Sequence, residues 1–362
     1  MKASRSTNDL AGAKTAQRGQ DRGVVRLRDV NLPPDVFAVA MATGIIAVAG
    51  RDHRYWRIAD VLGVAATAAF VVLSVGLLAR FAVGPGDILA QARDPDVALR
   101  MFTFVAACGV LGVRWVQHPT ALWLAGALGL VGWLVLAPLG ISDVRSRRRD
   151  ELRDHAHGAW LLPSVATAGL ATTAADLARA HSSTVLVAVG AAFWLIGIGT
   201  YLAVTWLIAW RALAAPYVPG EVTPDSWILM GALAITTLAG CHIDTATRAV
   251  GGAPWIADWA RPLTFATWIV ATAWVPVLLY AEIWSVDQQS GSLHYKGVWW
   301  SAVFPLGMYS AASSACAHTF HLRALTTVSL VFFWVAATVW TMVALGLVHA
   351  GLRTVRRRRS LA

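Results

Sequence analysis

Charged side chains are scarce in this sequence. Asp, Glu, Lys and Arg make up 14% of its 362 residues, whereas soluble domains carry about 25%. Hydrophobic residues make up 57%, and they gather into ten long runs with no charged residue or histidine near the middle of any run. This composition excludes an ordinary soluble protein and leaves little polar sequence for a separate catalytic domain. We therefore predict an all-α integral membrane protein.

Several kinds of chemical site are also missing. The sequence has no Walker loop, no dinucleotide fingerprint and no Gly-x-Ser-x-Gly nucleophile elbow. Its three cysteines, Cys108, Cys241 and Cys316, lie apart in apolar runs, where we expect small core side chains and no disulfide. His318 and His321 have the spacing of half a zinc site, but two more ligands would be needed. We predict no catalytic residue, no metal and no cofactor.

Each of the ten apolar runs is long enough to cross a bilayer, in some cases with tilt. The N-terminal region lacks the apolar core and cleavage site of a signal peptide. We predict a disordered cytoplasmic tail over 1–32, a ten-helix transmembrane domain over 33–350 and a basic cytoplasmic tail over 351–362. The runs are residues 34–50, 58–80, 99–116, 119–140, 157–176, 183–211, 226–243, 262–284, 297–317 and 324–350.

Positive charge is divided unevenly between the two sides of the predicted domain. With a cytoplasmic N terminus, 22 of the 30 Lys and Arg residues fall on the cytoplasmic side and 8 on the outer side. Cytoplasmic loops of membrane proteins carry such an excess. We therefore expect both termini inside, in the plasma (inner) membrane. The basic clusters at 145–149 and 356–359 fit this topology and do not indicate nucleic-acid binding.

The odd-numbered runs share two features. Each begins with an aromatic residue, and they are rich in Gly, Ala, Ser and Thr, whereas several even-numbered runs are rich in Trp, Leu and Val. An aromatic belt at the membrane surface could by itself account for the aromatic residues at the start of the runs. We predict five helical hairpins around a central pore, with the odd helices inside and the even helices outside. The odd runs begin with Phe37, Phe102, Trp160, Trp227 and Trp299.

The ninth run places Phe304 immediately before Pro305, with Gly307 two residues later. Proline removes a helix hydrogen bond and kinks the chain, which a membrane tolerates where neighbouring helices or a watery cavity satisfy the freed carbonyl. A bulky ring at such a bend predicts a constriction in a pore, although a plain packing helix gives the same pattern. A cation path would want acidic rings or ordered carbonyls, so a neutral pore with a positive inner rim favours anions.

Three stretches resemble the tellurite-resistance and C4-dicarboxylate transporter family, which lies in the voltage-dependent anion channel superfamily. The family includes plant guard-cell slow anion channels, yeast malate permease and fungal sulfite efflux pumps. The resemblance implies a homotrimer with one pore per subunit, and a phenylalanine on the ninth helix that plugs the pore, here Phe304. The stretches are Pro34-Asp-Val-Phe-Ala-Val-Ala-Met-Ala-Thr-Gly-Ile-Ile46, Trp227-Ile-Leu-Met-Gly-Ala-Leu-Ala-Ile235 and Trp299-Trp-Ser-Ala-Val-Phe-Pro-Leu-Gly-Met308.

Together these features predict transport of small anions, such as malate and other C4-dicarboxylates, sulfite, tellurite, nitrate or chloride. Phe304 is the predicted gate, and Pro305 and Gly307 form its predicted hinge. An alternating-access, proton-linked carrier is the alternative within transport, and a membrane-embedded enzyme is the alternative of another class. The expected partners are the anionic solute, the lipid bilayer and further copies of the chain. The predicted pore-lining residues are Thr43, Gly44, Gly109, Thr167, Thr236 and Met308.

Overall fold

The computed structural model describes residues 33–84, 86, 91, 94–214, 223–251, 253–288 and 299–360. This part of the chain is α-helical, with short 3-10 turns at Gly158–Leu161 and Pro224–Trp227 and no β-strand. The predicted tail at 1–32 lies outside the described residues. The helices are α1 (Ala38–Asp52), α2 (Trp56–Val83), α3 (Pro95–Met101), α4 (Thr103–Arg114), α5 (Pro119–Ser146), α6 (Arg149–His155), α7 (Leu162–His181), α8 (Thr184–Ala214), α9 (Ile228–Val250), α10 (Pro254–Gln288), α11 (Trp300–Phe320) and α12 (Arg323–Ser360).

Eight helical segments within the described residues are long and apolar enough to cross a membrane. They correspond to eight of the ten predicted runs, so the prediction of an all-helical membrane protein is confirmed. The two runs outside this set are α1 and α11. The first has only 15 residues, or about 22 Å at 1.5 Å per residue. The second has 21 residues, among them several serines.

Burial separates the long helices into two classes. Of the most apolar stretch of each helix, 67% is buried for the segment that contains α4, 94% for α7 and 83% for α9. The values for α2, α5, α8, α10 and α12 lie between 17% and 33%. Helices α1 and α11 are buried along most of their length. The buried helices are those rich in small residues, and the exposed helices present Val, Leu and Trp side chains that suit a lipid environment.

The buried helices form a closed ring. Helix α1 packs against α4, α4 against α7, α7 against α9, α9 against α11, and α11 against α1. Each also packs against the long exposed helix that follows it in the chain. We call α1, α4, α7, α9 and α11 the inner ring, and the other long helices the outer layer.

Each inner helix is antiparallel to its outer partner, because a connection of only two to four residues joins the two helices. The inner helices are parallel to one another, because neighbours contact each other at matching positions at two levels. These contacts are Asp35–Arg100 and Gly44–Val110 for α1 and α4, His157–Asp225 and Asp176–His242 for α7 and α9, Gly231–Pro305 and Cys241–Cys316 for α9 and α11, and Ile45–Gly307 and Asp52–Ser314 for α1 and α11. The predicted aromatic residues Phe37, Phe102, Trp227 and Trp299 are the residues that precede α1, α4, α9 and α11. The inner ring therefore has an N-terminal end, where these aromatics lie, and a C-terminal end.

Candidate pore

A small cavity lies at the centre of the inner ring. Its volume is about 10 Å³, which is about the space that one water molecule needs. All five inner helices contribute to its wall, and Thr172 is the one side chain there with a polar atom. The centre of the ring is thus closed and almost entirely apolar in this structure. The lining residues are Ile45, Gly109, Val110, Val113, Gly169, Thr172, Ile235, Leu238 and Met308.

The backbones of two inner helices come into direct contact where α4 meets α7. A Cβ atom on Gly109 would lie 2.9 Å from Cα of Gly169 and 3.1 Å from its carbonyl carbon. Only glycine leaves room for backbones to approach this closely, as in many helix contacts within membranes. Both glycines line the central cavity, so this contact closes one side of it.

Helix α11 is held in the ring by the two residues of the predicted hinge. Pro305 packs against α9, where a Cβ on Gly231 would lie 2.8 Å from the proline ring. Gly307 packs against α1, where its own Cβ would lie 2.9 Å from Ile45 Cγ2. Because a residue advances a helix by about 100°, these two contacts lie about 160° apart around α11.

Phe304 and Met308 lie within this arc, between the contacts with α9 and α1. The arc between two neighbours in a ring faces the centre, and Met308 indeed lines the central cavity. Phe304 is one turn from Met308 toward the N-terminal end and is fully buried. The opposite face of α11 meets the outer layer through hydrogen bonds of Tyr309 and Ser310 with Thr272 and Ser329.

Three predicted pore-lining threonines are bonded away from the cavity. Thr43 accepts a hydrogen bond from the indole N–H of Trp340, at 3.0 Å, and Thr167 accepts one from Trp133, at 2.9 Å. The Thr236 hydroxyl donates to a carbonyl of its own helix, α9, and the Thr236 carbonyl accepts from the Trp194 indole on α8.

These bonds place all three threonines on the faces of the inner helices that meet the outer layer. Gly44 lies between α1 and α4, since its Cβ would meet Val110 at 2.9 Å. Of the six predicted lining residues, the structure places Gly109 and Met308 at the cavity. A role in conduction for any of the six stays a prediction.

At the N-terminal end of the ring, His157 lies between two carboxylates. Its Nδ1 is 2.9 Å from Asp225 and its Nε2 is 3.4 Å from Asp96. The Trp160 indole also donates to Asp96, at 2.6 Å. Burial lowers the pKa of His157, but hydrogen bonds to Asp225 and Asp96 outweigh it and raise the pKa to about 9. The charged imidazole therefore links α3 to the 3-10 turns that precede α7 and α9.

The C-terminal end of the ring contains ionisable groups that sequence reasoning took for ordinary helix ends. His242 Nδ1 lies 2.8 Å from Asp176 Oδ1, which joins α9 to α7. Arg114 is only 2% exposed, and its Nη2 lies 2.6 Å from Asp60 Oδ1 on α2. Gly63 makes room for this guanidinium, because a Cβ there would lie 2.5 Å from its Nε. A single acidic or basic residue at the end of an apolar run carried no signal of either pairing.

Neither end of the ring offers a metal centre. Within the described residues, no three or more His, Cys, Asp or Glu side chains are arranged to hold an ion. The cysteines are free and buried, and Cys241 and Cys316 face each other from α9 and α11 with a Sγ–Sγ distance of 3.7 Å. What the ring offers chemically is therefore a narrow apolar centre between two polar ends.

Known proteins resemble this chain, some over part of its length and others over most of it. A family model described as voltage-dependent anion channel matches residues 31–348. An uncharacterized membrane protein of Mycobacterium tuberculosis (strain ATCC 25618 / H37Rv) is 34% identical over 166 residues, which are 43% of this chain and 79% of that protein. Two uncharacterized transporters of Methanocaldococcus jannaschii are 23% and 22% identical, over 86% of this chain and 91% and 92% of their own lengths.

Proposed function

The chain belongs to the voltage-dependent anion channel family, and we propose that it conducts small anions through the centre of its inner ring. Family membership and the transporter relatives support anion transport in general. The same family assignment agrees with the expectation that the chain is not an enzyme. We further propose a transmembrane arrangement, a gate and a class of solute.

The observation that carries the proposal is the central cavity, to which all five inner helices contribute. A path along the axis of the ring would pass between helices of small residues, while the outer layer shields them from lipid. For such a path to cross the membrane, α1 and α11 must span it together with the eight longer segments. The proposed arrangement is therefore ten spanning helices, as five hairpins around one pore.

Phe304 is the proposed gate. Its ring is fully buried and lies on the arc of α11 that faces the axis, one turn from Met308. An apolar constriction too narrow for water blocks ions by excluding their hydration shell. Pro305 leaves one backbone carbonyl without its helix partner, so α11 can bend there. The close contacts of Pro305 with Gly231 and of Gly307 with Ile45 limit the direction of that bend.

Anions are the proposed solutes because the described constriction carries no carboxylate that would attract cations. The proposed class is small anions: C4-dicarboxylates such as malate, sulfite, tellurite-type oxyanions, nitrate and chloride. With both termini in the cytoplasm, as the distribution of Lys and Arg predicts, the N-terminal end of the ring faces inward in the plasma membrane. A homotrimer with one pore per subunit is proposed from the family resemblance.

The proposal is tested by anion flux in proteoliposomes and planar bilayers, with chloride, nitrate, sulfite and malate in turn. Wild type and Phe304→Ala are compared at equal protein density. We expect the alanine variant to pass more anion current, and the rank of currents to identify the solute class. Silence in both proteins, with saturable flux of radiolabelled malate or sulfite that follows a pH gradient, would instead identify an alternating-access carrier.

A further inference from the structure

Two ionisable side chains lie on the C-terminal side of the central cavity. Thr172 and Leu238 line that cavity. Asp176 and His242 lie four residues further along the same two helices, and residues four apart share a helix face. The Asp176–His242 pair is therefore one helical turn beyond the constriction, inside the spanning parts of α7 and α9.

The two partners differ in their access to solvent. The Asp176 side chain is fully buried, whereas that of His242 is 19% exposed. Asp176 Oδ1 accepts from Nδ1 of His242 at 2.8 Å and lies 3.5 Å from Nη1 of Arg179. A carboxylate bonded to one ring nitrogen fixes the histidine tautomer. Nε2 is thus the nitrogen that remains for another partner.

Asp176 also has an unused oxygen. Its Oδ2 is buried and has no hydrogen-bond partner within the described residues. Burial of a carboxylate oxygen without a partner is costly, and ionisable groups at membrane depth commonly mark solute or proton sites. The pair is therefore poorly explained as packing alone.

The charges around the pair come from three helices. Asp52 of α1 and Arg179 of α7 face it, together with the Cys241 thiol of α9. Arg51 lies beside Asp52 and over the Trp56 ring. The other charged residues at this end of the ring have partners of their own. Arg114 forms an ion pair with Asp60, Arg248 forms one with Asp244, and Arg261 donates a hydrogen bond to the Thr319 carbonyl. Asp258 lies near Arg248, the Cys316 thiol faces Cys241, and His318 of α11 is exposed. The first two turns of α5 and α8 carry no charged residue.

With a neutral His242, the formal charges of Asp176 and Arg179, which face it from α7, cancel. One added proton leaves the cluster with a net positive charge. Attraction between charges is much stronger in the low-dielectric environment of a protein than in water. A proton on Nε2 would thus supply both the charge and the hydrogen-bond donor that an anion requires.

We propose that His242, positioned by Asp176, is a proton-dependent anion-binding residue of the conduction path. An anion at the C-terminal end of the ring accepts the Nε2–H bond of the protonated imidazole, so the anion and the proton bind together. This inference rests on the proposed function. It adds that access to the constriction is controlled by pH through one named histidine.

The test uses anion current in the Phe304→Ala background, at equal pH on both sides, between pH 8 and 5.5. The variants His242→Gln and Asp176→Asn are added, with His318→Gln as the matched control for an exposed histidine. The current of the Phe304→Ala parent should follow the protonated fraction of His242. Above the midpoint of this pH response, the current should therefore fall about tenfold per pH unit. His242→Gln should abolish this response, and His318→Gln should retain it.

Asp176→Asn separates positioning from packing. Removal of an opposite charge close to an imidazole makes protonation harder, so the midpoint should move down by about one pH unit or more. An unchanged midpoint, or a full pH response in His242→Gln, would refute the inference. If the glutamine variant does not fold, the midpoint of Asp176→Asn decides.

A second measurement does not depend on conduction. Nitrate added to the detergent-solubilised wild-type protein in weakly buffered solution should cause proton uptake, and Asp176→Asn should show it only at lower pH. No anion current in Phe304→Ala at any pH would count against the proposed pore. A current with no pH response, and no proton uptake on nitrate addition, would refute only the role of His242.

Discussion

The contact between Gly109 and Gly169 gives a pair of substitutions with opposite expected outcomes. A Cβ on Gly109 would lie 2.9, 3.1 and 3.2 Å from the Cα, C and O atoms of Gly169. These are backbone atoms of α7, so no flexible side chain can move aside. A Cβ on Gly169 would meet Gly109 Cα at 3.5 Å and Ile235 Cδ1 at 3.8 Å, which are ordinary van der Waals distances.

Both changes replace glycine by alanine inside a helix, so the gain in helix propensity, about 1 kcal/mol, is common to both. Gly109→Ala adds the cost of overpacking, about 1–3 kcal/mol. We therefore expect the free energy of unfolding of Gly109→Ala to lie about 1–3 kcal/mol below that of Gly169→Ala. With an unfolding entropy of about 2.1 cal/mol/K per residue, the melting temperatures should differ by about 1–4 °C.

Thermal unfolding in detergent, followed by the fluorescence of the 18 tryptophans, measures this difference. The reasoning predicts that Gly169→Ala melts at or above wild type and that Gly109→Ala melts below Gly169→Ala. A melting temperature of Gly109→Ala equal to or above that of Gly169→Ala would refute it. Such a result would mean that α4 and α7 are not in backbone contact.

Two further predictions concern the ends of the ring. Because the pKa of His157 is about 9 when folded and about 6.5 when unfolded, its charged form stabilises the fold fully below pH 6.5. This stabilisation is at most about 3–4 kcal/mol, at about 1.36 kcal/mol per pKa unit, and it is lost as pH rises through 9. The melting temperature should therefore be lower at pH 10 than at pH 7, and His157→Asn should reduce this difference. Mild oxidation with copper phenanthroline should join Cys241 to Cys316, since their Sγ atoms are 3.7 Å apart and a disulfide needs only a small approach. Peptide mass spectrometry would detect the link, and its absence, or an equal yield with Cys108, would contradict the described packing of α9 on α11.

The division into inner and outer helices was predictable from composition. Small residues in the odd-numbered runs allow close helix packing, and Val, Leu and Trp in the even-numbered runs suit lipid. Boundaries were less predictable: the run placed at 262–284 is helical from Pro254 to Gln288. Pro262, the first residue of that run, lies inside α10.

The orientation of individual side chains could not be predicted in the same way. Thr43, Thr167 and Thr236 have polar groups that suit a pore, yet tryptophans of the outer layer bond to their hydroxyl or carbonyl oxygens. Those tryptophans lie 34 to 297 residues away in the chain, so no local pattern could reveal the bonds. The role of Phe304 stays a prediction; the structure shows that its neighbours Pro305 and Gly307 contact α9 and α1.

The buried ionisable pairs were missed for a related reason. Asp176 and Arg114 each lie close to the end of a predicted run, where a charge is usually solvated. Their partners, His242 and Asp60, are 66 and 54 residues away. Only the closure of the ring brings them together.

The most direct test of the central claim compares the anion currents of Phe304→Ala and Phe333→Ala. Both phenylalanines are fully buried, and both substitutions should cost about 3–5 kcal/mol of stability. Phe333 lies on α12, in the outer layer, whereas Phe304 lies on α11, in the inner ring, and is the proposed gate. The account predicts a current well above wild type for Phe304→Ala and a wild-type current for Phe333→Ala. Equal currents in the two variants would show that Phe304 does not close the path.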